Sequence, residues 1–168
     1  MRIIGIMLIA AAAVYGGGSY TALKREQLNE LNALCHTLRL MQDELETRAL
    51  PLPELAAQLD TRTENAGKAL LSGLLRRLPE LGSRDFQNIW EECVAESVKH
   101  SEEAARLLCT LGSFLGRYDV DSQLEAIRSC REMLEKLRTT AAEALPQTRR
   151  LGMGLALTSG ALIVITLI

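Results

Sequence analysis

The chain has 168 residues and a formal net charge of -2, which leaves no basic footprint for nucleic acid. Aromatic residues make up only 4% of it, and no basic run is interleaved with them. Leu, Ala, Glu and Arg dominate between the two ends and β-branched residues are sparse there, which argues against a sheet-rich core and for helices.

After Met1 and Arg2, residues 3–23 are apolar and uncharged. A helix rises about 1.5 Å per residue and the hydrocarbon layer is about 30 Å thick, so this stretch reads as a membrane anchor. Tyr15 and Tyr20 suit a membrane interface. The alternative is a signal peptide cleaved at Ala11, Ala12 or Ala13. That would leave an extracytoplasmic helical bundle acting as a sensor or chaperone-like protein.

The first helix is expected to continue past Leu23. Leu28, Leu31, Leu34 or Cys35, Leu38, Met41 and Leu45 form one stripe on it. Arg25, Glu26, Asn29 and Glu30 form its polar surface. The helix ends near Arg48, where Pro51 and Pro53 stop it. A short helix over about 53–59 follows. The next covers 66–78, with Asn65 or Thr63 as cap and Leu70, Leu71, Leu74, Leu75 and Leu78 inward. Pro79 and Gly82 end it. Ser83 is the expected cap of a helix reaching Lys99, with Phe86, Ile89, Trp90, Cys93, Val94 and Val98 on its apolar face.

Ser101 with Glu102 and Glu103 starts a fifth helix, since a hydroxyl cap and acidic first turn complement the helix dipole. Leu107, Leu108, Leu111, Phe114 and Leu115 line it, and Gly116 closes it. Asp119 or Asp121 caps the last helix, which runs to about Leu145. Pro146 marks a kink or break before a second uncharged apolar stretch, 151–168. The expected organisation is an N-terminal anchor over 1–23, an all-α six-helix antiparallel bundle over 24–150, and a C-terminal anchor over 151–168.

Lys24, Arg25, Arg149 and Arg150 flank the bundle side of the anchors, against Arg2 outside. Positive flanks favour the cytoplasmic side, so the bundle is expected in the cytoplasm. Ala12 with Gly16 and Ala156 with Gly160 are small-residue pairs that let anchors approach each other or those of a second copy, a homo-oligomer.

The chain carries no P-loop, GxGxxG, HExxH or GxSxG, so no catalytic residue, cofactor or metal ligand is assigned and the protein reads as non-enzymatic. His36 and His100 read as surface or helix-end residues. Cys35, Cys93, Cys109 and Cys130 have no zinc spacing and read as buried reduced thiols.

One stretch stands apart. Gly112 and Gly116, four apart, strip side chains from one helix face so that another backbone can approach, or so that a tight crossing and a C-cap form. Leu111, Gly112, Leu115, Gly116, Asp119 and Gln123 spell LGxxLGxxDxxxQ. On that pattern the chain resembles the stage III sporulation protein AB family. The resemblance extends over the N-terminal anchor, the leucine-rich helix, ALPL at 49–52, Phe86 to Trp90 followed by Glu91, the long charged helix and the ending IVITLI.

That family is similar to the cytoplasmic domain of the type II secretion platform protein, a six-helix antiparallel bundle. The resemblance implies a platform subunit of the secretion-like channel complex between mother cell and forespore. It implies a place on the mother-cell side of the forespore's outer membrane. The implied partners are the complex's ATPase (the sister protein AA), its other membrane subunits and membrane lipid. No catalysis is implied, and no role for the glycine motif beyond packing or interaction.

Overall fold

The structure is a computed structural model. It describes the backbone over 2–48, 50–115 and 119–167, and side chains over 22–48, 50–115 and 119–144. The described residues are all-helical in the order expected: α1 Arg2–Arg48, α2 Leu52–Asp60, α3 Asn65–Arg77, a 3-10 turn Leu78–Glu80, α4 Phe86–Ser97, α5 Glu102–Gly112 and α6 Val120–Leu167. No strand is present among them, and Leu81 and Arg84 form an isolated bridge. The chain divides into two compact units, one of Met1–Glu26 with Thr140–Ile168 and one of Gln27–Thr139.

Among the described residues no helix is long and apolar enough to cross a membrane. Of the apolar ends expected to do so, 3–23 and 151–168, all but residues 22 and 23 lie outside the residues whose side chains are described. Pro146 does not end α6, which is one helix to Leu167. A proline removes a single hydrogen bond, and intact turns on both sides carry the helix past it.

In the unit Gln27–Thr139, the stripe on α1 becomes the core: Leu31, Leu34, Cys35, Leu38, Met41 and Leu45 are all buried. Leu55, Ala56 and Leu59 of α2, Leu70, Leu71 and Leu74 of α3, and Ile127, Cys130 and Leu134 of α6 meet it. Each large side chain so buried contributes about 1.5–3 kcal/mol. α1 and α6 run antiparallel. Glu46 pairs with Arg128 at 3.4 Å, while the earlier Cys35 feels the later Arg138.

α3 approaches α1 closely at Gly67. A Cβ there would fall within 3.0 Å of Thr37 Oγ1 and 3.2 Å from Ala33 O. Thr37 is itself 1% exposed, and its hydroxyl donates to Ala33 O at 2.8 Å.

Several local expectations change. Thr63 does not cap α3; its hydroxyl donates to Leu59 O at 3.0 Å and closes α2. Asn65 does not cap α3 either but is its first residue, in the left-handed region at φ 51. Ser83 bonds Glu80 O at 2.8 Å within the turn that Gly82, at φ 110, makes possible. Asp85 then precedes α4. Phe114 is 39% exposed because α5 ends at Gly112 and the following turn rotates residue 114 off the buried face.

Glu30, expected on the polar surface, is 6% exposed. Its carboxylate accepts the backbone N–H of Lys99 at 2.8 Å and of His100 at 3.1 Å. It therefore satisfies two donors of the α4–α5 link, those of Lys99 and His100, from α1, a charge-assisted arrangement of about 1.5–3 kcal/mol per bond.

Two outcomes follow from this packing. Gly67→Ala should destabilise the protein by about 1–3 kcal/mol in urea unfolding, with part recovered in the double variant with Thr37→Ala, which removes the obstructing hydroxyl. Burial, reinforced by Cys35, pushes the Cys130 thiol from 9.0 up to about 12. The unfolded chain loses this proton first, so stability should be unaffected below pH 9.0 and fall as pH rises towards 12. Cys130→Ala should flatten that decline in denaturation midpoints measured across this range.

Candidate functional site: the glycine motif and the indole it seats

α5 begins where Ser101 accepts the N–H of Ala104 at 3.3 Å, with Glu102 and Glu103 in the first turn as expected. Its buried residues are Ala104, Leu108, Leu111 and Gly112, a stripe that faces α4. From α4, Trp90 enters with no exposure at all. Its Nε1–H donates to Leu108 O at 2.6 Å. A Cβ on Gly112 would lie within 3.0 Å of Trp90 Cδ1, Cγ and Nε1. What Gly112 admits is thus an indole ring; the expectation of a second backbone is corrected here. Phe86 stacks on that ring, with centroids 6.0 Å apart and planes at 27°.

The end of α5 depends on the same seam. The N–H of Ser113 turns to Thr110 O at 3.2 Å. This leaves the Cys109 carbonyl to Gln87, whose Nε2 donates to it at 3.0 Å. A helix end leaves its last carbonyls without intrahelical donors, and α4 supplies one here.

The motif residues divide into two groups. Leu111 and Leu115 are in the core with 2% and 0% exposure, beside buried Gly112. Gly116, expected to close the helix, lies outside the described residues; α5 already ends at Gly112. Asp119 is exposed, and its carbonyl accepts the N–H of Gln123 at 3.1 Å to open α6. Gln123 is half-buried. The leucines and Gly112 offer nothing to a partner directly. They set the α4–α5 seam, while Phe114 in the turn after α5 is 39% exposed.

Sequence reasoning placed Trp90 in the core but did not pair it with Gly112. The available signal was a lone tryptophan on one apolar face and a glycine on the apolar face of the next helix. Glu30 gave no such signal, because an acidic residue among Arg25, Glu26 and Asn29 reads as solvated. Among the described residues no group of His, Cys, Asp or Glu could hold a metal ion.

The sequence profile described as Stage III sporulation protein AB matches residues 2–168. The chain belongs to the stage III sporulation protein AB family. A solved structure of a stage III sporulation protein AB shares the fold, with a TM-score of 0.62 at 21% identity, over 72% of this chain and 97% of that one. No curated protein sequence matches. In this family member Gly112 of the motif is the backing of a buried tryptophan.

Gly112→Ala should therefore displace the indole, break its bond to Leu108 and cost about 2–4 kcal/mol. Because Trp90 is the only tryptophan, its emission reports the site directly. A red shift with a lower urea midpoint is expected, and an unshifted spectrum would show that the ring does not depend on this glycine.

Proposed function

We propose that this chain is a non-enzymatic platform or adaptor subunit of the sporulation secretion-like complex linking mother cell and forespore. Residues 1–23 and 151–168 anchor it in the mother-cell side of the forespore's outer membrane. Residues 24–150 form a cytoplasmic bundle, like that of the type II secretion platform protein, that docks the ATPase, sister protein AA, and connects it to the other membrane subunits. The observation that carries this reading is family membership over 2–168 in a chain with two uncharged apolar ends. The positive flanks support the cytoplasmic side. Gly112 of the glycine motif serves this role by packing, as the support of the α4–α5 seam.

Two measurements test the reading. Full-length protein in lipid nanodiscs should bind the purified ATPase, and absence of a complex at high micromolar concentration would overturn it. Sidedness is read with Glu125→Cys, a position 75% exposed, in a chain whose half-buried Cys109 is replaced by serine. A membrane-impermeant maleimide should label it only after permeabilisation. Labelling in intact cells, with a mature mass lacking the first stretch, would instead establish the exported sensor or chaperone-like alternative.

A further inference from the structure

α1 runs unbroken from Arg2 to Arg48, and α6 from Val120 to Leu167. Each apolar stretch therefore passes into its charged flank with no loop between. Lys24 and Arg25 directly follow residues 3–23 on α1, and Arg149 and Arg150 directly precede residues 151–168 on α6. Pro146 does not separate the second pair from the rest of its helix. All four residues belong to the one compact unit of Met1–Glu26 and Thr140–Ile168. With both stretches in the bilayer, the chain leaves the first and enters the second on the same side. The two pairs then flank one leaflet.

Depth decides what these residues meet. A bilayer of about 40–45 Å with a hydrocarbon layer of about 30 Å leaves roughly 5–8 Å for each headgroup layer. A helix rising about 1.5 Å per residue crosses that layer in roughly four or five residues. Residues 24–27 and 147–150 fill it, and they hold four cations against one carboxylate, Glu26. The nearest acid on α6, Glu143, is six residues before Arg149, about 9 Å further from the apolar stretch. Arg25 is exposed and has no ion pair among the described residues. Cations at this depth are attracted to headgroup phosphates. A zwitterionic headgroup carries its own cation, whereas an anionic one leaves its phosphate unbalanced, so the excess positive charge selects the anionic kind. A protein partner would have to displace lipid to reach the same layer.

We propose that Lys24, Arg25, Arg149 and Arg150 form a collar that binds anionic phospholipid headgroups. The inference rests on the membrane-anchor reading and names the lipid class that the anchors take.

The test uses full-length protein in phosphatidylcholine nanodiscs that carry either spin-labelled phosphatidylglycerol or spin-labelled phosphatidylcholine. Electron paramagnetic resonance reads the fraction of each probe immobilised by the protein. The wild type should hold the anionic probe roughly fivefold more strongly than the zwitterionic one. The preference should vanish in about 1 M salt, where the Debye length falls to about 3 Å. It should vanish as well when Lys24→Gln, Arg25→Gln, Arg149→Gln and Arg150→Gln are combined. It should persist when Arg39→Gln, Lys68→Gln, Arg76→Gln and Arg106→Gln remove the same charge from exposed positions of the other unit. Equal association of the two probes with the wild type, or a preference that survives either the salt or the four collar substitutions, would overturn the collar and leave the anchors standing. A wild type that stays in the soluble fraction, outside the discs, would overturn both.

Discussion

The indole of Trp90 occupies the space that any side chain at residue 112 would need, and the seam between α4 and α5 is built around that exclusion. Trp90 is among the largest fully buried side chains of the bundle. Truncating such a residue costs about 3–5 kcal/mol. Its position is also directional, because the ring N–H is committed to the Leu108 carbonyl. A sliding or rotation of α5 would lose that bond and push a side chain into the ring. Within this register Gln87 reaches the Cys109 carbonyl and the link before Ser101 reaches the Glu30 carboxylate. Packing and hydrogen bonding therefore select the same arrangement, the consistency expected of a chain with one folded state.

The helices were legible because each carries its apolar residues at one period and its breakers at the ends. The α1 stripe from Leu31 to Leu45, the prolines at 51 and 53, and the Ser101 cap were all read from residue types alone. Thr63, Asn65 and Ser83 were misread for a common reason. Each has a side chain that can serve either the helix before it or the helix after it, and the choice depends on the turn geometry. Trp90 was legible as a core residue though its pairing with Gly112 was not drawn, whereas Glu30 lay beyond reach because its partners are distant in sequence. Nothing local distinguishes a buried carboxylate that caps a link 69 residues away from a solvated one. Phe114 failed on a boundary: α5 stops at Gly112, and a helix face ends with its helix.

Polar groups serve two purposes on this bundle. The network of Arg77, Arg84, Glu80, Glu92 and Glu96 satisfies itself, and Arg84 holds the Glu92 carboxyl below its usual range by hydrogen bonding. Exposed pairs of this kind contribute little to stability, and they offer a partner little that is not already occupied. The carboxamides of Asn29, Asn32 and Asn65 are the reverse: they are exposed and their side chains make no hydrogen bond among the described residues.

The antiparallel pairing of α1 with α6 also bears on the order in which the bundle forms. α2 to α5 are joined by short links, so each can meet its neighbour while the search for contacts remains local. The α1 stripe has to wait for Ile127, Cys130 and Leu134, which are synthesised last. Loop-closure entropy makes that contact the slow one. Until α6 leaves the ribosome, a row of leucines and a methionine on α1 is incompletely covered. That interval is when the nascent chain is most open to aggregation and to capture by chaperones.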